Sequence, residues 1–362
     1  MTFSLPEYIA PDFSLEPLAS APEAATAPAP ARGVAPENFH ATTIYPEYFK
    51  IGGRWVLAGE SRMDCVAVVR GRDVAVVEFR NLQKGDAVVL GRSEDGSEGI
   101  CVHAAGFAGE QALREAFVFR TGRTRETSYS RDYDTLYDLL RHEKDHGCTV
   151  WVLGPAVSFD SDSRSAMVSL IEAGYVDAVL AGNALATHDV EGAVFQTALG
   201  QDIYTQVSAP GGHYHHLDVL NRVRGAGSLA AFMQNGGVDN GVMHACERAG
   251  VPVVLAGSIR DDGPMPEVIA DVYAAQDAMR AHTRRATTMI SLATQLHAIA
   301  TGNMTPAYQV VNGRVRPVFI YTVDISEFAV NKLRDRGSLE VTSIVTNVQD
   351  FLVNLKRNLI GP

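Results

Sequence analysis

The sequence predicts an α/β fold, a doubly wound parallel sheet preceded by a smaller β-rich domain, on three observations. From Tyr129 onward, continuous apolar runs alternate with helix-length amphipathic segments, the rhythm of strands covered on both faces by helices. Between residue 37 and about residue 125, short Val-rich runs are broken by Gly and charged turns, the pattern of a small β domain. The chain has 362 residues, which at roughly 150 per domain is room for two.

Residues 1–36 are expected to form a flexible tail. The stretch LASAPEAATAPAPARGVAP, from Leu18 to Pro36, is built of Ala, Pro and other small residues and reads as a partly stiffened tether. Residues 37–128 form the expected β-rich domain, with the runs RWVLAG, DCVAVVRG, DVAVVEFRN, DAVVLGR and GICVHAAGF. Met63-Asp64-Cys65 is the one polar, reactive spot there, and a buried Cys opening a strand accounts for it.

Residues 129–362 form the expected catalytic domain. Its strand candidates are TVWVLGP, VDAVLAGN, VPVVLAGS, TTMISLAT, PVFIYTVD and SLEVTSIVTN, separated by helical stretches such as SRSAMVSLIEAG and PEVIADVYAAQDAMRAH. Right-handed crossovers turn that alternation into a doubly wound sheet.

In such a sheet, ligands occupy the crevice at the carboxyl ends of the strands. The six runs end on Gly154 and Pro155, on Gly182 and Asn183, on Gly257 to Asp262, on Thr294 to His297, on Asp324, and on Thr346 and Asn347. All six ends carry small or hydrogen-bonding groups, and together they outline a nucleotide-sized site.

Composition narrows the partners. The formal net charge is -11, which opposes a phosphate backbone and argues against nucleic acid. No apolar run reaches the roughly 18 to 20 residues that span a bilayer, and the first 30 residues lack a signal-peptide pattern. A cytoplasmic protein without a membrane partner is expected. Cys65, Cys101, Cys148 and Cys246 form no C-x-x-C pair, so reduced thiols are expected.

Several motifs compete for attention. Gly225-Ala226-Gly227-Ser228-Leu229-Ala230 fits G-x-G-x-x-A, but the preceding LDVLNRVR reads as helix. The dinucleotide mechanism needs a strand there, so the match reads as one helix ending and another starting. Arg260, beside Asp261 and Asp262, follows a strand and precedes a helix expected to begin near Pro266. Its guanidinium suits a substrate carboxylate, and a salt-bridged loop is the rival reading. Asp324 suits an adenosine ribose diol, which favours NAD over NADP, and equally suits the N-cap of the helix ISEFAVNKLRDRG. His213, His215 and His216 lack the recurring acid or Cys partners of a metal site, so no metal is expected, and one of them is kept as a proton carrier. His297 lies at the mouth of the crevice, and His188 with Asp189 either starts a helix or joins the site.

The segments AGNALATHDVEGAVFQTALG, GGHYHHL, VLAGSIRDDGPMPEVIADVYAAQDAMR, ATQLHAIATGNMTP and VDISEFAVNKLRDRGS closely resemble the NAD-dependent ornithine cyclodeaminases of the archaeal type. The same region forms the carboxyl-terminal part of cyanobacterial bifunctional arginine dihydrolase/ornithine cyclodeaminases and was catalogued as a LOR/SDH conserved region. The likeness runs from about Ile44 to the C-terminus. It implies a Rossmann-like NAD domain after a β-rich one, with NAD contacts at Asn183, Ala184, Asp262, Thr294, Gln295, Leu296, His297, Asp324, Asn347 and Val348. It implies no arginine hydrolysis, because the dihydrolase module has no counterpart.

Three departures from that family stand out. Gln295 replaces a usual apolar residue, Asn347 replaces a usual Asp, and Ala307 to Arg316 lengthens the stretch before Asp324. The implied reaction converts ornithine, or a close diamino acid, to proline and ammonia. Arg260 is expected to hold the substrate carboxylate, and Asp262, His297 or His213 to move protons. A homo-oligomer acting on a small amino acid is expected. The rivals are an NAD-dependent dehydrogenase or deaminase, which would accumulate NADH, and a non-catalytic NAD sensor; an aminoalkyl transferase would need a lysine at the strand ends, and none is evident.

Overall fold

The computed structural model of the chain describes residues 3–60, 62–107, 130–326 and 339–361. The N-terminal part holds β1 (Thr26–Pro28), β2 (Glu47–Ile51), β3 (Arg54–Leu57), β4 (Cys65–Arg70), β5 (Asp73–Glu78), β6 (Ala87–Val89) and β7 (Ile100–Val102). They form two antiparallel sheets, ordered β1-β6-β4-β5 and β3-β2-β7, with one apolar cluster that includes Phe49 and Ile100 and a second that includes Val66 and Val88.

The free tail expected for residues 1–36 is corrected by this arrangement. Residues 26–28 are themselves an edge strand, paired antiparallel with β6, and an edge is where a strand tolerates Pro28. Ala21, Ala24 and Ala29 are buried. The Glu23 carboxylate accepts from Gly52 N and Gly53 N at 2.7 and 2.6 Å, and Phe13 stacks on Trp55 with ring centroids 5.3 Å apart. Small side chains hold the segment by letting its backbone come close, as where a Cβ on Gly99 would lie 2.5 Å from Ala24 N.

The second part is a six-stranded parallel sheet of β8 (Thr149–Leu153), β9 (Ala178–Gly182), β12 (Val253–Ala256), β13 (Thr288–Leu292), β16 (Phe319–Asp324) and β17 (Glu340–Val345). These are the six runs read from the sequence. β8 and β13 are buried along their whole length, because helices cover both faces. One face carries α1 (Ser130–His146), α2 (Ser161–Glu172), α6 (Val242–Ala249) and α9 (Val348–Leu359). The other carries α7 (Val272–Thr283) and α8 (Gln295–Met304).

The strand order is β12-β9-β8-β13-β16-β17. Counted along the chain this is 3-2-1-4-5-6, whose direction reverses between β8 and β13. A dinucleotide binds at that reversal, beyond the carboxyl ends.

The link from β9 to β12 is long. It holds α3 (Asn183–Phe195), the hairpin β10 (Thr197–Ala198) and β11 (Gln201–Asp202), α4 (His215–Ala226), α5 (Leu229–Gln234) and α6. α4 ends at Gly227, which has φ 85°, and α5 starts on Ser228, whose side chain accepts from Ala231 N. The G-x-G-x-x-A string is therefore a helix end followed by a helix start, as read.

The helix expected near Pro266 begins instead at Val272. Asp271 supplies its N-cap through Ala274 N, while Ile269 N donates to Leu255 O at 2.9 Å and holds the preceding residues extended beside β12. The stretch Ala307 to Arg316, expected to lengthen the chain before Asp324, falls on a hairpin, β14 (Tyr308–Val311) and β15 (Arg314–Pro317). Its Tyr308 hydroxyl donates to Ala58 O at 2.6 Å and joins the two parts.

A second junction centres on Glu78, whose carboxylate meets Arg62 at 2.8 Å, Arg280 at 3.0 Å and Arg284 at 3.2 Å. Burial opposes its ionisation, but the Arg62 guanidinium, hydrogen bonds from its own backbone and from Asn81, and Arg280 hold its pKa down at about 2. Among the described residues, no helix is long and apolar enough to cross a membrane.

Candidate functional site

The crevice at the reversal is built around glycines. Gly154 N donates to Leu292 O at 2.8 Å, and a Cβ on Gly154 would collide with the Ala293 carbonyl. Only a bare backbone lets the end of β8 lie so close to β13. Ala293 has φ 47°, which turns the chain sharply into Thr294 and α8. Gly182 ends β9, and a Cβ there would lie 2.8 Å from His297 Cε1. His297, two strands away along the sheet, therefore lies directly over the β9 end.

Helix starts supply the charge preference of the crevice. α3 begins on Gly182 and α8 on Thr294, neither with a side-chain cap and neither with an acid in its first turn. By contrast, Asp160 and Ser228 cap α2 and α5 with their side chains, and at the end of β17 Asn347 caps α9. Open helix starts present N–H donors to anions. Bare glycines, free N–H groups and Asp324 at the end of β16 are the parts a dinucleotide needs: close backbone approach, pyrophosphate donors and a ribose acceptor. The residues present fit that group.

The predicted residues fall around this frame. Asn183 opens α3, and its Oδ1 accepts from Met265 N at 3.0 Å and from the Thr187 hydroxyl at 3.3 Å. It thereby ties the β9 end to the loop after β12, with Ala184 half-buried beside it. In that loop, Asp261 Oδ2 accepts from Ser258 N at 2.8 Å, while Arg260 and Asp262 are exposed. Burial lowers the pKa of His297, the Asp261 charge opposes this and Arg260 adds to it, so these three groups share one neighbourhood.

Thr294 and His297 are half-buried, whereas Gln295 and Leu296 are exposed. Asp324 Oδ1 accepts from Ser326 N at 2.8 Å; the helix it was expected to cap lies outside the described residues. Asn347 is exposed and caps α9 by accepting from Asp350 N at 2.7 Å. Val348 is 7% exposed and packs in the core, which leaves its backbone as its contribution to a ligand. His213 is exposed on the β9–β12 link, its ring 4.1 Å from that of Tyr214.

α3 also carries a polar network that sequence reading reached only in part. His188 Nδ1 and Glu191 Oε2 are 2.8 Å apart. The Thr197 hydroxyl donates to Glu191 Oε1 at 2.8 Å and stands 2.8 Å from His215 Nδ1. Gly200 N donates to the same carboxylate at 2.9 Å. Burial pushes the Glu191 carboxyl up, but hydrogen bonds from His188, Gly200 and Thr197 outweigh it and hold the group below its usual range. Asp189 has a separate role. It pairs with Arg164 at 2.8 Å and accepts from Val242 N and Met243 N, closing the start of α6.

Glu191 was missed by sequence reading. The available signal was a helix of Ala, Val and Leu carrying His, Asp and Glu within four residues, all of them buried. Among the described residues, no three His, Cys, Asp or Glu side chains are placed to hold a metal ion. A cavity of about 340 Å³, lined by Leu229, Met233, Met243, Cys246 and Leu255, opens on the flank of β12; it takes in none of the strand-end residues.

Comparison with known proteins agrees with this architecture. Residues 135–355 match the family described as arginine dihydrolase ArgZ-like, C-terminal, Rossmann fold. The ornithine cyclodeaminase of Methanopyrus kandleri is 38% identical over 338 residues, covering 92% of this chain and 77% of that protein. The bifunctional arginine dihydrolase/ornithine cyclodeaminase AgrE of Nostoc is 36% identical, over 90% of this chain and 45% of its own length.

Among solved structures, a conserved LOR/SDH protein of Methanococcus maripaludis superposes with a TM-score of 0.83 at 33% identity, covering 93% of this chain and 98% of that one. AgrE in its ternary complex with ornithine and NAD+ gives a TM-score of 0.59 at 33% identity, over 95% of this chain and 47% of that one. The reversed six-stranded sheet, the β-rich part before it and a likeness spanning nine-tenths of the chain lead to one conclusion: this chain belongs to the family of the archaeal ornithine cyclodeaminases and of the C-terminal Rossmann region of ArgZ-like proteins.

Proposed function

We propose that the chain is an NAD-dependent ornithine cyclodeaminase, converting L-ornithine or a close diamino acid to L-proline or its cyclic analogue plus ammonia. The observation that carries this is His297 lying over Gly182 beside Arg260 and Asp261, at the strand ends where this fold takes a dinucleotide. AgrE, a relative of which this chain spans 47%, forms a ternary complex with ornithine and NAD+.

When bound, NAD supplies a hydride acceptor for the α-carbon and later returns the hydride. Asn183, Ala184, Asp262, Thr294, Gln295, Leu296, His297, Asp324, Asn347 and Val348 are its proposed contacts. The open starts of α3 and α8 would supply N–H donors to its pyrophosphate, and the Asp324 carboxylate would accept from its ribose hydroxyls and disfavour an added phosphate.

Arg260 clamps the substrate carboxylate through a bidentate fork, and its exposure leaves it free to close on the substrate. His297, with its pKa lowered by burial, is able to accept a proton, and Asp262, exposed in the loop after β12, is the second proposed proton carrier. His213, exposed on the long link, is the remaining proposed proton carrier.

The protein works in the cytoplasm as a homo-oligomer in this reading. Leu199, Tyr204, Val207, Tyr214 and Leu217 are all more than half exposed on one stretch of the link, as at protein–protein contacts.

The test is incubation of pure protein with NAD+ and, separately, ornithine, lysine, diaminobutyrate and arginine, with mass spectrometry of products and absorbance at 340 nm. Ammonia and proline without accumulated NADH support the reading. Accumulated NADH marks a dehydrogenase, and binding of NAD+ without product from any of the four marks a sensor.

A further inference from the structure

We propose that His188 is the residue that moves the proton between the two nitrogens of the diamino acid during ring closure, with Glu191 as its positioning residue. The inference rests on the cyclodeaminase reading and adds a residue to it.

Ring closure makes a demand that Arg260 and His297 do not meet. They gather at the end where carboxylate and α-carbon are held, yet the attacking nitrogen is at the far end of the substrate. That nitrogen arrives as an ammonium and has no lone pair until a base removes a proton. A second base is needed, set apart from the first.

The geometry of α3 provides one. His188 lies five residues beyond Asn183, about 7.5 Å along the helix at roughly 1.5 Å per residue, and so about one substrate length from the β9 end. Its ring centroid is 5.8 Å from Phe159, which follows the turn at the end of β8, and 6.2 Å from His216 of α4.

Its two nitrogens are differentiated. Nδ1 is engaged by Glu191 at 2.8 Å, and a carboxylate there fixes the tautomer that protonates Nδ1 and leaves Nε2 as the basic nitrogen. Glu191 is itself tied down on both oxygens. It is fully buried and held by Thr197 and by Leu199 N and Gly200 N. The groups facing His188 are thus Glu191 on its own helix, Phe159 from the β8 end and His216 from α4, with His215 joined through Thr197.

The step balances. The δ-ammonium gives one proton to His188 Nε2, and the freed lone pair forms the bond to the imine carbon produced by hydride loss. His188 returns that proton to the α-nitrogen as the bond between it and the α-carbon breaks. The second proton shed by the ring nitrogen goes to the departing ammonia, which leaves as ammonium, and the imidazole ends as it began. General acid–base catalysis of this kind contributes about 10²- to 10⁴-fold.

The experiment compares wild type with His188→Gln, which keeps a hydrogen-bond donor for Glu191 but has no base, and with His188→Ala given free imidazole and 4-methylimidazole. Proline formation and NAD+ affinity by calorimetry are both measured. The expected result is a kcat at least 100-fold lower in His188→Gln, with KM for ornithine and NAD+ affinity each within about 3-fold. In His188→Ala, rescue increases with the basicity of the added imidazole, which a purely structural role would not produce.

On the wild type itself, histidine ¹⁵N NMR is expected to show His188 protonated at Nδ1 and its Nε2 resonance shifting when L-proline and NAD+ are added. Proline formation by His188→Gln within 3-fold of wild type, an Nε2-protonated tautomer, or a resonance unmoved by ligand overturns the assignment and leaves the cyclodeaminase reading standing. If wild type binds NAD+ but forms no proline, the reading falls and the assignment with it.

Discussion

Substituting Gly182→Ala tests whether the packing of His297 over the β9 end matters to the chemistry. The added Cβ would lie 2.8 Å from His297 Cε1, where ordinary contact begins at 3.4 Å, so the ring must withdraw by at least 0.6 Å. The backbone at Gly182, with φ -108° and ψ 175°, suits alanine without strain. Replacing glycine stabilises by roughly 0.4–1 kcal/mol through the unfolded chain, while alanine is a poorer N-cap by a similar amount. Stability should therefore stay within about 1 kcal/mol. A misplacement near 1 Å at a reacting centre costs up to about 100-fold, so a 10- to 100-fold loss in kcat/KM is expected. The assay is ammonia release from ornithine in Gly182→Ala, His297→Ala and the double variant. If the effect passes through His297, Gly182→Ala does nothing further in the His297→Ala background. Equal losses in both backgrounds would refute the reasoning.

Further outcomes follow from other residues. Asp324→Asn should weaken NAD+ binding about 10- to 100-fold, from the roughly 1.5–3 kcal/mol of a hydrogen bond to a charged group, and narrow the preference over NADP+; titration calorimetry with both nucleotides checks this. Glu78→Gln removes the nearer carboxylate of the buried Arg62 guanidinium and leaves it only Glu60 at 3.6 Å, which should cost about 3 kcal/mol, seen as a melting temperature lower by roughly 6–12 °C. Because the folded pKa of Glu78 is lowered to about 2, its contribution is present above the unfolded value near 4.5 and lost as pH falls from there toward 2; Glu78→Gln should therefore flatten the acid limb of a stability–pH curve. Removing residues 1–28 uncovers the β6 edge and should raise protease sensitivity and aggregation, measured by limited proteolysis and light scattering.

The sheet was legible because β8 and β13 are buried throughout, and a strand covered on both faces has to be apolar at every position. Its polar ends were legible for the same reason, since polarity returns only where cover stops. The N-terminal segment was not. Its Ala and Pro residues hold it by close approach, with Ala24 against Gly99 and Pro28 on an edge strand, and composition carries no trace of such a fit. The start of α7 was misread because Pro266 imitates a first helical turn, while the cap belongs to Asp271. Glu191 was hidden by its setting: four partners converge on one carboxylate from α3, β10 and the following turn, a meeting fixed by tertiary structure. Asn347 shows one residue with two demands. The resemblance assigns it to the cofactor, and the fold uses its side chain to start α9.

The most direct measurement is a reaction with ornithine carrying deuterium at the α-carbon and a single equivalent of NAD+. The account requires hydride to leave and return within one site, so proline should keep the deuterium at C2, one ammonia should be released per proline, and no NADH should build up. Deuterium recovered in NADH or lost to solvent, with no labelled proline, would contradict it.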